Sequence, residues 1–227
     1  MSAILKAENV SYTYTSKYQR VEAVKNVCCT FEAGKMIAIV GRSGSGKSTL
    51  LSLLAGLDNP TDGQIYYDGQ ALSAIDRNRY RRDSASVIYQ SYNLFPLLTT
   101  LENVMYPMQM QGKAKHEAML TAKKLFEDVG LSEAAYKKFP QMMSGGEQQR
   151  IAIARALASG GKILLADEPT GNLDTANERM VVELIGTLAH THGYTAVVVT
   201  HNEYVASQAD KIYVMNDGVL EEKESET

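Results

Sequence analysis

The segment Gly41-Arg42-Ser43-Gly44-Ser45-Gly46-Lys47-Ser48-Thr49 constrains this chain more than any other, because it fits G-x-x-x-x-G-K-[ST]. It follows the wholly apolar run Met36-Ile37-Ala38-Ile39-Val40 and opens a helical run from about Lys47 to Ala55. An apolar run without alternation reads as a strand buried on both faces, which requires layers packed above and below it. A glycine-rich turn between such a strand and a helix lets main-chain amides converge on phosphate oxygens, and the helix N-terminus adds free N–H donors and a positive dipole. On this reading Gly41 to Gly46 form a phosphate cradle and Lys47 neutralises the β- and γ-phosphates. The Ser48 hydroxyl ligates Mg²⁺, and Thr49 closes the motif.

A second anchor is Lys162-Ile163-Leu164-Leu165-Ala166-Asp167-Glu168-Pro169. A buried strand here delivers two carboxylates at its C-terminal end, where open α/β sheets bind ligands. Asp167 is expected in the Mg²⁺ shell, and Glu168 is expected to orient and polarise an attacking water. Around these anchors the chain alternates. Leu5–Tyr14 and Val24–Phe31 read as strands, Gln64–Tyr67 meets an Asp68-Gly69 hairpin signal, and Ser86–Tyr89 reads as another strand. From Thr99 to Ala158 the pattern turns helical, with Ala118, Ala122, Leu125 and Val129 at helical spacing before Gly130. Then Ile163–Ala166, a helix over Asn177–His190 with Val181, Leu184, Ile185 and Leu188 on one face, Ala196–Thr200, Lys211–Met215 and Val219–Leu220 restore the alternation before a charged tail. The expected fold is α/β, a mostly parallel sheet with helices on both faces and an antiparallel piece near the start.

Composition serves mainly to exclude. The 227 residues carry 23 Lys+Arg against 26 Asp+Glu, a formal charge of −3. Duplex binding draws on a basic stripe that displaces counterions, so no nucleic-acid partner is expected. Apolar runs such as Ile163–Ala166 and Ala196–Val199 fall far short of the roughly 20 residues of a spanning helix, so no direct membrane insertion is expected. Met1 to Glu8 shows no signal pattern, and the two cysteines, Cys28 and Cys29, are adjacent and outside any metal spacing. These features suggest a reducing, cytoplasmic chain. His190 and His192 end a helix, where histidine favours the negative dipole end, so a metal pair is not inferred. The basic run from Asp76 to Asp83 is flanked by acids and reads as a solvated helix.

The run Met143-Ser144-Gly145-Gly146-Glu147-Gln148-Gln149-Arg150 decides the family. Together with the two motifs above, it resembles the nucleotide-binding subunits of ABC transporters, over nearly the whole chain and in the family's order. The resemblance implies a P-loop NTPase fold of ABC type, with an antiparallel β subdomain and an inserted α-helical subdomain. Residues 1–89 and 160–227 are then the nucleotide-binding core, and residues 90–159 are the inserted unit. It implies ATP and Mg²⁺ as ligands, with Tyr14 stacking on adenine, Gln90 serving metal and catalysis, Asp174 in the loop after the second acid, and His201 beside Lys47 and Glu168 in catalysis. Tyr12 and Tyr14 share a strand face under strict alternation, so only the resemblance selects Tyr14. Two subunits are expected to pair head to tail as a homodimer, each ATP lying between one phosphate loop and the other subunit's Ser144, Gly145 and Gly146.

Local chemistry agrees with a second anion site. Ser144 starts a helix with Ile151, Ala154 and Leu157 on one face, so its first amides are free donors. Ser144 and Glu147 also fit a capping box. Here the chain departs from the family pattern, with Met143 for the usual leucine and Glu147 for the usual glutamine. Glu147 is expected to turn back onto Ser144 and to weaken the closed dimer.

After Gln90 comes Tyr92-Asn93-Leu94-Phe95-Pro96-Leu97-Leu98, which the resemblance makes a docking groove for a membrane permease. The subunit would then be peripheral on the inner face of the cell membrane. Details around Asp167–Asp174 and Pro96–Val104 resemble the branch handling macrolides, lipoproteins and antimicrobial peptides. The chain ends soon after Leu220, from which no appended regulatory domain of the sugar-importer type is expected. The alternative is a soluble ABC-type ATPase, such as an iron–sulfur assembly component.

Overall fold

The computed structural model describes residues 3–223, so residues 1–2 and residues 224–227 of the charged tail lie outside it. In chain order the elements are β1 (Ala3–Thr15), β2 (Arg20–Glu32), β3 (Met36–Val40), α1 (Lys47–Leu54), β4 (Asp62–Tyr67), β5 (Gln70–Ala71), α2 (Arg77–Asp83) and β6 (Ala85–Tyr89). Next come α3 (Thr100–Met110), α4 (Lys115–Asp128), α5 (Gly145–Ala158), β7 (Ile163–Asp167), α6 (Thr175–His190), β8 (Thr195–Thr200), α7 (Glu203–Ser207), β9 (Lys211–Asn216) and β10 (Val219–Glu222). The strands make two sheets. One is antiparallel in the order β2-β1-β4-β5; the other runs β10-β9-β3-β8-β7-β6, parallel except for the β9–β10 hairpin.

Strand alternation divides the interior into two cores. Ile37, Ile39, Ile163, Leu165, Val197 and Val199 face α1 and the antiparallel sheet. Met36, Leu164, Ala166, Ala196 and Val198 face the helices α3 to α6. That two-sided burial is why these strands read as continuous apolar runs. In α4 the periodicity is slightly displaced from expectation: Phe126 is buried and Leu125 only half-buried, and the chain turns at Gly130 with φ of 70°. α6 begins at Thr175, because Asp174 caps it by accepting from the Asn177 amide at 2.8 Å. α2 is the helix expected over the basic run, capped by Asp76, and it also buries Tyr80. No helix among the described residues is long and apolar enough to cross a membrane.

The parallel strand order is what gathers the functional residues. β3, β8, β7 and β6 are successive neighbours, so their C-terminal ends form one edge about 14 Å long. Gly41, His201, Asp167 and Gln90 stand at those four ends.

The opposite edge is pinned by Asp210. Its carboxylate accepts from the Met36 amide at 2.8 Å and from Lys35 Nζ at 3.0 Å, and it meets His190 Nε2 at 2.8 Å. This junction ties the start of β3 to the end of α6, so His190 has a partner as well as a helix dipole. Burial pushes the Asp210 carboxyl up, but the bonds from His190, Met36 and Lys35 prevail and hold it below the usual carboxylate range. A lowered folded-state pKa stabilises above the unfolded value of about 3.9, and the contribution disappears as pH falls through the lower folded value. Asp210→Ala should therefore cost about 2 kcal/mol at neutral pH, with the deficit shrinking as the pH falls below about 3.9. Urea midpoints for both chains across pH 3 to 7 provide the comparison.

Candidate functional site

The phosphate loop owes its shape to Gly46. Its φ is 106°, and a β-carbon there would collide with the Ala23 carbonyl, so no other residue fits. Gly46 is also the N-cap of α1, with no side-chain hydrogen bond to the helix and no acidic residue in the first turn. By contrast, α3, α5, α6 and α7 are each capped by a side chain. The first amides of α1 thus keep their donor capacity for an external anion. Lys47 is only 7% exposed, and its Nζ donates to the Gly41 and Arg42 carbonyls, both at 2.8 Å. An ammonium has three donors, so one remains.

Beside the loop, Ser48 Oγ donates to Asp167 Oδ1 at 3.0 Å. Burial raises the Asp167 carboxyl above its ordinary range and the Glu168 charge adds to this, while the Ser48 hydrogen bond and Lys47 pull the other way. The paired hydroxyl and carboxylate oxygens are hard donors of the kind Mg²⁺ takes. Among the described residues no group of three His, Cys, Asp or Glu could hold a metal. Magnesium fits such a site, since it uses one or two protein oxygens together with phosphate and water rather than a protein cage.

Glu168 comes next in the left-handed region with φ of 47°, its amide donating to the Val199 carbonyl at 2.9 Å. This turn brings Glu168 Oε1 to 2.8 Å from His201 Nδ1, with the carboxylate as acceptor. The His201 side chain is otherwise 70% exposed. Gln90 Nε2 donates to Asn172 Oδ1 at 3.2 Å, and Asn172 Nδ2 donates back to the Gln90 carbonyl at 3.2 Å.

These groups line one cavity of about 750 Å³, walled by Tyr14, Arg42, Ser43, Gly44, Gly46, Lys47, Ser48, Thr49, Gln90, Asp167, Glu168 and His201. Gly41 and Ser45 of the loop are not among the wall residues: Ser45 is buried and its carbonyl accepts from the Gly218 amide at 3.0 Å. Two wall residues, Val21 and Ala23 of β2, carry no sequence signal, since small aliphatics in a strand are ordinary. Tyr14 is 49% exposed, touches Thr49 Oγ1 at 3.2 Å and stacks edge-on against Tyr12. Tyr12 instead packs onto the core beneath the antiparallel sheet. Pairing irregularities on either side of Tyr12 break the strict alternation that made the two tyrosines equivalent.

Ser144, Gly145, Gly146 and Asp174 lie outside this cavity. Asp174 is engaged with Asn177, through both the amide and Nδ2. The Ser144–Glu147 capping box is fully formed. Glu147 Oε2 accepts from the Ser144 amide at 2.8 Å and from its Oγ at 2.9 Å, and the Glu147 amide donates to Ser144 Oγ at 3.3 Å. The Ser144 amide bond, opposed by partial burial, holds the Glu147 carboxyl below the usual range.

Comparison with known proteins agrees with this geometry. Residues 24–171 match the ABC transporter family. The chain is 38% identical over 220 residues to an uncharacterized ABC transporter ATP-binding protein of Mycobacterium tuberculosis, covering 96% of this chain and 88% of that one. It is 41% identical over 222 residues to the lipoprotein-releasing system ATP-binding protein LolD of Shewanella frigidimarina, covering 96% and 92%. Identity to the macrolide export ATP-binding/permease protein MacB of Rhodopirellula baltica is 44% over 204 residues, 88% of this chain but 30% of that protein. A dimeric ATP-binding cassette of Methanocaldococcus jannaschii, solved in a post-hydrolysis state with ADP and Pi, superposes with a TM-score of 0.89 at 37% identity, covering 97% of this chain and 98% of that one. The chain belongs to the ABC transporter family, as an ATP-binding and ATP-hydrolysing subunit.

Proposed function

We propose that the chain works as half of a head-to-tail homodimer that closes on two ATP molecules and drives a separate membrane permease. One observation carries this reading: four adjacent strand ends supply one cavity with a phosphate loop, two acids, a histidine and a glutamine, while Ser144–Gly146 lie outside it. The second set is left for the ATP of the partner subunit.

Within one subunit, Tyr14 stacks on adenine. The amides of residues 41–46 and the start of α1 hold the phosphates with Lys47 and Thr49. Ser48, Asp167 and Gln90 would hold Mg²⁺, which would supply charge neutralisation at the phosphates. Glu168 orients the water and takes its proton as the oxygen bonds to the γ-phosphorus and ADP leaves. His201, fixed by Glu168, contacts the γ-phosphate. Ser144, Gly145 and Gly146, with Asp174, close on the ATP held by the partner subunit. Residues 90–159 act as an inserted unit against the core formed by residues 1–89 and 160–227.

The permease docks around Gln90–Leu98. Leu97 is 88% exposed, and the buried Asn103 holds the loop beneath it by donating to the Phe95, Leu98 and Thr99 carbonyls. The subunit thereby sits peripherally on the cytoplasmic face. The names of MacB, for macrolide export, and LolD, for lipoprotein release, favour export or extraction of drugs or lipoproteins, with peptides as a further candidate from the sequence resemblance alone.

Glu168→Gln should lower ATP hydrolysis by at least about 100-fold and leave an ATP-bound dimer visible by sedimentation. Continued turnover would remove Glu168 from the chemistry. Glu147→Gln removes a negative charge beside the second phosphate site, so half-maximal dimerisation should need about two- to fivefold less ATP. Leu97→Glu alters a solvent-facing side chain and should abolish co-purification with a polytopic membrane protein while the chain folds normally. Retained co-purification would move the docking surface elsewhere.

A further inference from the structure

Tyr92 and Asn93 are consecutive residues with φ of 60° and 48°. A bulky residue in the left-handed region is an outlier that persists only where its surroundings fix it. Arg155, in the last turn of α5, does the fixing. Its guanidinium donates to the Tyr92 carbonyl at 3.0 Å and the Asn93 carbonyl at 2.6 Å, and it lies 5.8 Å from the centre of the Phe95 ring.

The far end of the same tyrosine reaches the first turn of α5. A β-carbon on Gly145 would stand 2.8 Å from the Tyr92 hydroxyl. Gly145 and Arg155 are ten residues apart, about 15 Å along the helix axis. Tyr92 is therefore gripped through its main chain from one end of α5 while its ring braces the other. The same β-carbon position is 3.6 Å from Leu173 Cδ2 and 3.8 Å from the Asn172 carbonyl, and Asn172 is the residue that exchanges hydrogen bonds with Gln90. On the other side, Asn103 fixes the backbone from Phe95 to Thr99. A short, doubly anchored path thus joins Leu97 to Gly145.

We propose that Tyr92 is a positioning residue: it places Gly145, and the amides around it, according to how the 95–98 loop is seated. The inference rests on the reading of Ser144–Gly146 as the contact to the other subunit's ATP. It adds a specific link between the docking loop and that contact.

The test is a double-mutant cycle in the Glu168→Gln background, with Mg²⁺-ATP titrated against dimer formation by sedimentation. Tyr92→Phe should raise the ATP needed for half-dimerisation by about fivefold, and Gly145→Ala by more. The double variant should regain part of the Gly145→Ala loss, because the hydroxyl that blocks the new methyl is gone. Far-UV circular dichroism and urea midpoints should be equal in all four, which checks folding. Effects that simply multiply would overturn the proposal. A Gly145→Ala chain that dimerises normally would instead overturn the underlying reading, and the proposal with it.

A second readout uses a fluorophore on Leu97→Cys in a Cys28→Ser chain. Its emission should shift on Mg²⁺-ATP dimerisation, and Tyr92→Phe should remove about half of that shift at saturating ATP, since coupling between two sites is reciprocal. An undiminished shift rules Tyr92 out as the link.

Discussion

Burial of the parallel sheet on both faces is the constraint on which the rest of the molecule depends. With Ile37, Ile39, Leu165 and Val199 committed to one core and Met36, Leu164, Ala166 and Val198 to the other, no strand face is left for chemistry. Function is confined to strand ends, and parallel pairing puts the C-terminal ends of β3, β8, β7 and β6 on the same side. Residues 41, 90, 167 and 201 become neighbours through pairing order rather than through proximity in the chain. The antiparallel sheet then contributes Tyr14, Val21 and Ala23 as a wall over the loop.

Two helix starts deal differently with their unpaired amides. α1 has no side-chain cap and no acidic residue of its own in the first turn, so its first amides keep their donor capacity. α5 carries a complete capping box, whose glutamate takes the Ser144 amide and hydroxyl for itself. The first helix start keeps its amides free of any side-chain cap. The second has an internal carboxylate at the place an external anion would approach.

Local signals were the legible part of both fold and site. Apolar runs marked the strands, the glycine-rich segment marked the turn into α1, and S-x-x-E at Ser144 and Glu147 marked a cap that the structure forms. What the chain alone did not disclose were contacts between residues far apart in sequence. The Glu168–His201 bond, the Gln90–Asn172 exchange and the Arg155 hold on Asn93 depend on loops meeting in space. The different placement of Tyr12, packed on the core, and Tyr14, at the cavity wall, goes with a pairing irregularity that propensity does not encode. In α4, likewise, Phe126 is buried where Leu125 was expected, and Leu125 is only half-buried.

The shape of the phosphate loop has a consequence for how such a site can tolerate change. The donors it offers from the main chain are amides, which no substitution except proline removes. Arg42 and Ser43 are exposed, so their side chains can vary without displacing the loop, whereas Gly46 cannot, because its conformation and its closeness to Ala23 belong to the backbone itself. Heritable variation at this site acts on geometry first and on chemistry second. A mutational scan of the loop would read as a map of where the chain must bend.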